Sequence, residues 1–391
     1  MENNNEKVLK LLNKFAENAG YSNLLLQNTA DVNPLQTRLF YGVIERLITL
    51  DFIISNYNKK KLDIEVRNIL RLGLYQLLYI NSIKDFTVVN ECVSVCKKFK
   101  KTSASGLVNF ILRQFIRDGK KFDDNDLSVK YSVNSNLLNT LLSQYEQEIV
   151  IQFLEDSFLP PILFKRYYFP LNDNVNNHKN RNQSEIFHIQ DLSSQYACEV
   201  LAPKPGQIVL DMCSAPGGKA FTLAEIMQNK GTVYAVELHE SRCSLIKSGA
   251  EKLGLTNIKI INANSAEISD LPKADKILCD VPCSGIGVIR RKPEIKYKDP
   301  SEFETLPDIQ YKILKNAVRF LKPDGDLIYS TCTINKNENE KVVEKFISEN
   351  KDYEIIKTRT IFPKEYGSDG FFISHIRRVN GANADTLTKA V

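Results

Sequence analysis

The second half of the chain alternates short apolar runs with helix-like segments, and this alternation limits the fold more than any other feature of the sequence. The runs lie at residues 208–210, 232–236, 258–261, 276–279 and 327–330. Continuous apolar runs are typical of parallel strands that are buried on both faces. The sequence therefore predicts an α/β fold, with a Rossmann-like, mostly parallel sheet over residues 189–378. A last strand over residues 370–376 is expected at the sheet edge.

The first third of the chain has a different pattern. Apolar residues recur at helical spacing, most clearly over residues 40–50, 64–80, 88–99 and 104–116, without an intervening strand-like segment. We therefore predict an all-helical bundle over residues 1–125. Residues 126–188 are interpreted as a connecting region with one or two helices and an Asn-rich insert, together with the start of the catalytic part, and residues 379–391 as a polar tail.

Composition excludes several classes of protein. The 391 residues include eight cysteines and four histidines without a Cys-x-x-Cys pair, which argues against a disulfide framework and a zinc site. The first thirty residues lack an apolar leader segment, and no apolar run is long enough to cross a membrane. We expect a cytoplasmic monomer without a metal or a membrane partner.

Positive charge is concentrated in the helical third. Residues 1–130 contain 20 Lys and Arg against 14 Asp and Glu, a difference of +6, which leaves −1 of the total charge of +5 for the remainder. The clusters include Lys97, Lys98 and Arg113. Such asymmetry suggests contact with a polyanion, although a solvated helix surface explains it equally well.

A glycine-containing loop follows the first predicted strand of the second half, within residues 211–220. In open α/β sheets this turn holds ligands, because the backbone at Gly217 and Gly218 approaches closely and the next helix offers unpaired amides. The loop has neither the Walker A nor the Gly-x-Gly-x-x-Gly spacing. Glu237 follows the second strand, where a carboxylate commonly accepts from a ribose diol; the alternative is a tight turn with a surface Glu.

Two cysteines come directly after predicted strands, at the same rim as the loop. Cys283 follows Asp280, and Cys332 follows the strand at residues 327–330, whereas Cys279 lies inside its strand. Nucleophilic chemistry needs an accessible thiolate. Asp280 either assists at a ring nitrogen of a planar substrate or only organises the turn. The next loop carries Arg290, Arg291 and Lys292, with Lys296 and Lys298 nearby, and these cations either hold phosphates or form a solvated basic loop.

Together these residues resemble the RNA cytosine-C5 methyltransferases of the NOL1/NOP2/Sun class across about residues 155–378. The matching segments are residues 190–191, 211–220, 280–285, 330–332 and 369–372. Residues 40–46, 88–91 and 108–113 resemble the NusB-like RNA-binding domain, and residues 285–291 match the bacterial 16S rRNA members of the class, in which both domains are fused. Asn264 stands where the class usually has Asp, and Phe164-Lys165-Arg166-Tyr167 replaces its Arg-x-Asn.

The resemblance implies S-adenosylmethionine as cofactor and 16S rRNA as partner. It implies that Cys332 is the nucleophile, that Cys283 promotes product release and that Asp280 orients the base. The cofactor residues that it implies are Cys213, Ser214, Ala215, Pro216, Gly217, Gly218, Lys219, Glu237, Asn264 and Asp280. Expected RNA contacts are Arg290, Arg291, Lys292, Lys97, Lys98 and Arg113.

The expected reaction is methylation of C5 of a specific cytosine in 16S rRNA through a covalent bond between cysteine and C6. Two alternatives stay open. One is a cytosine-C5 methyltransferase that acts on tRNA. The other is a non-catalytic RNA-binding assembly factor that keeps a methyltransferase scaffold; cofactor binding would discriminate against it.

Overall fold

The computed structural model describes residues 3–18, 22–168 and 186–379. The chain divides into two compact units. The first consists of Met1–Leu159 with Ile289–Pro300, and the second of Pro160–Val288 with Ser301–Val391. This division differs from the boundary at residue 125 that the sequence predicts, and it assigns an interior segment of the second half to the first unit.

The first unit is helical. Its helices are α1 (Asn4–Asn18), α2 (Ser22–Gln27), α3 (Pro34–Glu45), α4 (Leu47–Tyr57), α5 (Ile64–Tyr79), α6 (Asp85–Lys98), α7 (Ser105–Arg117), α8 (Leu127–Tyr131), α9 (Ser135–Gln144) and α10 (Gln147–Asp156). The apolar pattern over residues 40–50 is divided between α3 and α4, which separate at Arg46. Asn33 starts α3 with a capping box, because its side chain accepts from the Gln36 amide and the Gln36 side chain accepts from the Asn33 amide.

The core of the first unit forms around α5, α6 and α7. Gly73 on α5 lets the helices approach closely, since an added Cβ would lie 2.9 Å from Cys92 Sγ. Cys92 and Cys96 are fully buried, and burial raises the pKa of Cys96 to about 11. Both thiols are therefore core residues, as their spacing on one helix predicts.

The segment Ile289–Pro300 is held by buried polar contacts within the first unit. Lys296 is 0 % exposed, and its Nζ donates to the carbonyls of Glu45 at 2.8 Å and Tyr131 at 3.2 Å. Arg290 is 8 % exposed, and its Nε donates to the Asp156 carbonyl at 3.1 Å. Neither interpretation left open for these cations, phosphate contact or a solvated basic loop, applies to Lys296, and burial leaves little of the Arg290 side chain accessible. Both side chains are buried by tertiary packing, and a run of charged residues in the sequence does not reveal that packing.

The second unit contains a two-stranded hairpin and a seven-stranded sheet. Its strands are β1 (Lys165–Tyr168), β2 (Ile186–Ile189), β3 (Ile208–Asp211), β4 (Thr232–Glu237), β5 (Ile258–Asn262), β6 (Ala274–Asp280), β7 (Leu321–Thr331), β8 (Tyr353–Ile361) and β9 (Phe371–Arg378). Its helices are α11 (Leu192–Leu201), α12 (Gly218–Ile226), α13 (Glu240–Leu253), α14 (Leu306–Ala317), α15 (Glu340–Glu349) and α16 (Pro363–Tyr366).

The strand order of the large sheet is β5-β4-β3-β6-β7-β9-β8. The first five strands in this order are parallel, and β9 pairs antiparallel with both β7 and β8. Clusters of apolar side chains from the flanking helices pack on the sheet. The predicted fold class, a helical NusB-like part and a mostly parallel Rossmann-like sheet, is confirmed.

Three predictions of detail differ from the structure. The strand predicted at the sheet edge is β9, which lies inside the sheet, because β8 covers it and forms the edge. The hairpin β1–β2 falls in the region interpreted as a connection. Helices α8, α9 and α10 of that region belong to the first unit. The Asn-rich insert at residues 172–184, and residues 380–391 of the tail, lie outside the described residues.

Candidate active site

The carboxyl ends of four parallel strands form one edge of the sheet. Asp211 ends β3, Glu237 ends β4, Asp280 ends β6 and Thr331 ends β7. Parallel strands present these ends at the same rim, which is where ligands bind in open α/β sheets. The loop after β3 and the cysteines after β6 and β7 are therefore brought together by the topology.

The loop between β3 and α12 is held in one conformation. Ser214 Oγ donates to Asp211 Oδ2 at 2.9 Å, and the Gly217 amide donates to the Ser214 carbonyl at 2.8 Å. Gly217 has a φ of 110°, and an added Cβ would lie 2.3 Å from the Phe221 ring. A side chain at Gly217 is thus excluded both by the backbone conformation and by the neighbouring ring.

Carboxylates lie on both sides of this loop. Asp211 is 1 % exposed, its Oδ1 has no hydrogen-bond partner among the described residues, and burial raises its pKa to about 7. Glu237 is 4 % exposed and accepts from the amides of Ala215 at 3.2 Å and His239 at 3.1 Å. Asn264 is half-buried, and its Oδ1 accepts from the Ala266 amide at 3.0 Å. These acceptors are suited to ligand hydroxyl or ammonium groups.

An ion pair joins the start of α12, directly after the β3–α12 loop, to the end of β6, shortly before Cys283. Lys219 Nζ lies 2.7 Å from Asp280 Oδ2, and Ser330 Oγ donates to Asp280 Oδ1 at 2.9 Å. Burial alone would lower the pKa of Lys219, but the charge and hydrogen bond of Asp280 outweigh burial, and the pKa is raised. Lys219 therefore stays charged and fixes the Asp280 carboxyl group from one side.

The two cysteines of the rim are in contact. The Sγ atoms of Cys283 and Cys332 lie 3.2 Å apart. The hydrogen bond to Cys332, followed by burial, raises the pKa of Cys283 well above its ordinary value. Cys283 is thus favoured in its thiol form, and either sulfur can donate the S–H in this contact. Cys279 lies inside β6, where burial raises its pKa strongly.

A buried carboxylate that the sequence analysis missed supports both cysteine loops. Glu338 is 0 % exposed, and it accepts from the Ser284 amide at 2.8 Å and from Gln310 Nε2 at 3.0 Å. Gln310 Nε2 also donates to the Pro282 carbonyl at 2.9 Å. Asn335 Nδ2 completes the set at 3.0 Å from Glu338. No signal in the sequence marks Glu338, because it stands in a polar segment that is typical of a surface turn.

The cations expected to contact RNA lie in the first unit. Lys97 and Lys98 are exposed on α6, and Lys98 forms an ion pair with Glu6. Arg113 is exposed on α7, and its Nε donates to Asn109 Oδ1 at 2.8 Å. Arg291 and Lys292 are half-buried. The role of these side chains in binding RNA stays a prediction.

Neither a metal centre nor a membrane-spanning helix is found among the described residues. Within residues 3–18, 22–168 and 186–379, no group of three or more His, Cys, Asp and Glu side chains is arranged to hold a metal ion. Across the same ranges, no helix combines the length and the apolarity needed to span a bilayer.

Comparison with known proteins identifies the family. The model of the 16S rRNA methyltransferase RsmB/F family matches residues 198–377, and the NusB family model matches residues 2–117. The probable ribosomal RNA small subunit methyltransferase B of Bacillus subtilis is 32 % identical, over 95 % of this chain and 98 % of its own. The chain belongs to the RsmB/F methyltransferase family.

A second relative agrees with membership of the RsmB/F family, and a solved structure has the same fold. The ribosomal RNA small subunit methyltransferase B of Proteus mirabilis is 30 % identical, over 90 % of this chain and 92 % of its own. The crystal structure of PH0851 superposes with a TM-score of 0.77 at 21 % identity, over 96 % of this chain and 98 % of that one. This likeness shows the same fold over nearly the whole length.

Proposed function

We propose that the protein transfers a methyl group from S-adenosylmethionine to C5 of a cytosine in 16S rRNA. The observation that carries this proposal is the contact of the Cys283 and Cys332 thiols, 3.2 Å apart, at the rim that also holds the cofactor loop. The names of the Bacillus and Proteus relatives support small-subunit ribosomal RNA as the substrate class.

The residues of the rim fit S-adenosylmethionine. Its ribose hydroxyls and ammonium group need acceptors, and the unpartnered, buried Oδ1 of Asp211 and the Glu237 carboxylate are of that kind. Its carboxylate needs donors, which the first-turn amides of α12 supply because they have no acceptor within the helix. We assign the loop Cys213–Lys219 to this group, with Glu237 and Asn264 beside it. When bound, S-adenosylmethionine supplies an electrophilic methyl group on a sulfonium sulfur.

The thiol pair fits covalent activation of the pyrimidine. C5 of cytosine is a weak nucleophile, and addition of a thiolate to C6 moves electron density to C5. We assign Cys332 as the nucleophile, the role that the resemblance to the NOL1/NOP2/Sun class implies for it, and Cys283, whose Sγ lies 3.2 Å away, can donate its S–H to a thiolate on Cys332. Asp280, fixed by Lys219 and Ser330, orients the ring at N3.

Product release needs the reverse of the first step. After methylation, the C5 proton leaves to a base, the bond between C6 and Cys332 breaks, and the ring becomes aromatic again. We assign Cys283 to promoting this release, since its thiol is in contact with the departing sulfur. The target cytosine has to be unpaired or turned out of a helix to present its face to Cys332.

The first experiment incubates the full chain with tritiated S-adenosylmethionine and protein-free 16S rRNA, with tRNA in a parallel reaction. We expect label in 5-methylcytidine from the rRNA alone. Label in the tRNA alone would favour the tRNA alternative. Cofactor binding without transfer to free or assembled small-subunit RNA would favour a non-catalytic assembly factor, and label in another nucleoside would contradict the cytosine-C5 assignment.

A further inference from the structure

The hairpin β1–β2 precedes the cofactor loop and has two different faces. Its register pairs Tyr167 with Phe187 and Lys165 with Ile189, so these four side chains share one face. Arg166 and Tyr168 belong to the opposite face. Residues 169–185 lie outside the described residues and do not enter the argument.

The inner face anchors the hairpin to the methyltransferase unit. Arg166 donates to Glu225 Oε2 from Nε at 2.9 Å and from Nη2 at 2.6 Å, and Nη1 donates to Gln195 Oε1 at 3.2 Å. Tyr168 is 6 % exposed, and its ring centroid lies 5.2 Å from that of His188. The hairpin therefore has its own packing and does not need the outer face for attachment.

The hairpin also leads directly to the cofactor loop. Gln190 follows β2, and its Oε1 accepts from Thr222 Oγ1 on α12 at 2.7 Å. Its Nε2 lies 3.7 Å from the position of a Cβ added to Gly218. The rigid end of the hairpin is thus in contact with the first turn of α12, beside the candidate active site.

The outer face carries two aromatic rings and a cation, of which Tyr167 and Lys165 are exposed and Phe187 is half-buried. Tyr167 is 42 % exposed and Ile189 is 57 % exposed. The Tyr167 and Phe187 ring centroids lie 5.8 Å apart, and Lys165 Nζ lies 4.5 Å from the Phe187 centroid. The two strands contain Lys165 and Arg166 but no Asp or Glu. Because Arg166 is bound on the inner face, Lys165 supplies the positive charge of the outer face.

We propose that the outer face of the β1–β2 hairpin stacks an unpaired RNA base that flanks the target cytosine. Single-stranded nucleic acid is bound by exposed aromatic rings that stack on bases and by cations that meet phosphates. The outer face provides both, next to the rim where the target base has to be unpaired. The inference rests on the proposed RNA substrate, and it assigns a base-stacking role to Tyr167 and Phe187 and a phosphate contact to Lys165.

The test measures RNA affinity apart from catalysis, by filter binding of the full chain to a single-stranded fragment of small-subunit rRNA. Tyr167→Ala and Phe187→Ala should each raise the Kd about tenfold, the range of one base–aromatic stack. Tyr167→Phe should keep the affinity, whereas Tyr167→Leu, which keeps apolar area without a ring, should lose it. Lys165→Ala should weaken binding most at low salt.

Matched controls lie elsewhere in the second unit. Tyr366→Ala removes another exposed tyrosine, 52 % exposed, and Lys259→Ala removes an exposed lysine on β5 whose Nζ lies 5.4 Å from the Tyr234 ring centroid. Both should leave the RNA Kd unchanged. The Kd for S-adenosylmethionine and the circular dichroism spectrum should be the same in every variant, which shows that the hairpin variants fold.

Abasic nucleotides identify the stacked base. An abasic residue at that position should weaken binding to the wild type but not to Tyr167→Ala, a non-additive result expected for two groups in contact. Equal affinity of Tyr167→Leu and the wild type would overturn the inference. So would outer-face variants that change the oligomeric state of the protein, measured by sedimentation, and leave its RNA affinity unchanged. A wild type that binds RNA through this face but methylates none would instead contradict the proposed function alone.

Discussion

Lys219 Nζ lies 2.7 Å from Asp280 Oδ2, and this ion pair connects the first turn of α12 to the end of β6. The side chains of Lys219 and Asp280 are 14 % and 24 % exposed. The pair links the loop assigned to the cofactor with the motif assigned to the base. One contact thus couples the positions of the two halves of the candidate site.

Removing the Lys219 cation should destabilise the protein and uncouple the cofactor loop from the motif that contains Asp280. Lys219→Met leaves Asp280 partly buried without its partner, and breaking such a pair costs about 3 kcal/mol of the free energy of unfolding. The double variant Lys219→Met/Asp280→Asn should recover part of this loss. Chemical denaturation provides the measurement, with the exposed Lys230→Met as the control. Equal unfolding midpoints for Lys219→Met and Lys230→Met would contradict the prediction.

Cys332→Ala should stop methyl transfer without preventing cofactor binding. The variant lacks the thiol that we assign to attack C6, so turnover should fall about a thousandfold or more. Tritium transfer to rRNA measures the first effect and equilibrium dialysis with S-adenosylmethionine the second. Methylation at the normal rate would eliminate the nucleophile assignment.

Cys283→Ala should trap the protein on its substrate. Without the thiol 3.2 Å from Cys332, the bond between Cys332 and C6 is expected to break slowly. A protein–RNA species that survives denaturing electrophoresis should therefore accumulate, and Cys283→Ala/Cys332→Ala should not form it. Unchanged turnover without such a species would remove the release role.

Glu338→Gln should affect release through the position of Cys283. The carboxylate accepts from three N–H groups, and an amide presents donors of its own to at least one of them. Each buried group left unpaired costs about 1–3 kcal/mol. We expect lower stability and slower resolution of the adduct in single-turnover assays, with the exposed Glu344→Gln as the control. A stability loss with unchanged resolution would leave Glu338 a purely structural role.

Acid should remove the contribution of Asp326 to stability. Its carboxylate accepts from His375 Nε2 at 3.0 Å and from Arg377 Nε at 2.8 Å, and also pairs with Lys276. Burial alone would raise the pKa of Asp326, but these hydrogen bonds outweigh it and lower the pKa. Because the folded-state pKa is below that of the unfolded chain, the stabilisation is complete above about pH 4 and declines as the pH falls further.

The variant Asp326→Asn measures this contribution directly. It should lower the free energy of unfolding by about 3 kcal/mol at pH 7, since it removes the buried negative charge that pairs with Lys276 and Arg377. The difference from the wild type should shrink on acidification below about pH 4. The exposed Asp270→Asn should show neither effect. A difference that stays constant with pH would refute the assignment.

Local patterns in the sequence determined the helices and strands and the edge of the sheet at which the candidate site lies. The helical spacing over residues 64–80 corresponds to α5 (Ile64–Tyr79), and each of the five predicted parallel strands has its counterpart in the sheet. Such elements are predictable because periodic apolar side chains and turn residues act over a few neighbouring positions. The rim follows as well, because parallel strands bring their carboxyl ends to one edge.

Tertiary structure alone decided what these patterns leave open. The position of β8 outside β9, the burial of Lys296 and the function of Glu338 as a common acceptor depend on residues far apart in the chain. The same holds for the 3.2 Å contact between thiols that stand 49 positions apart. A sequence records which groups are charged or polar, but whether a group meets water or a buried partner is settled by long-range packing, which no local pattern encodes.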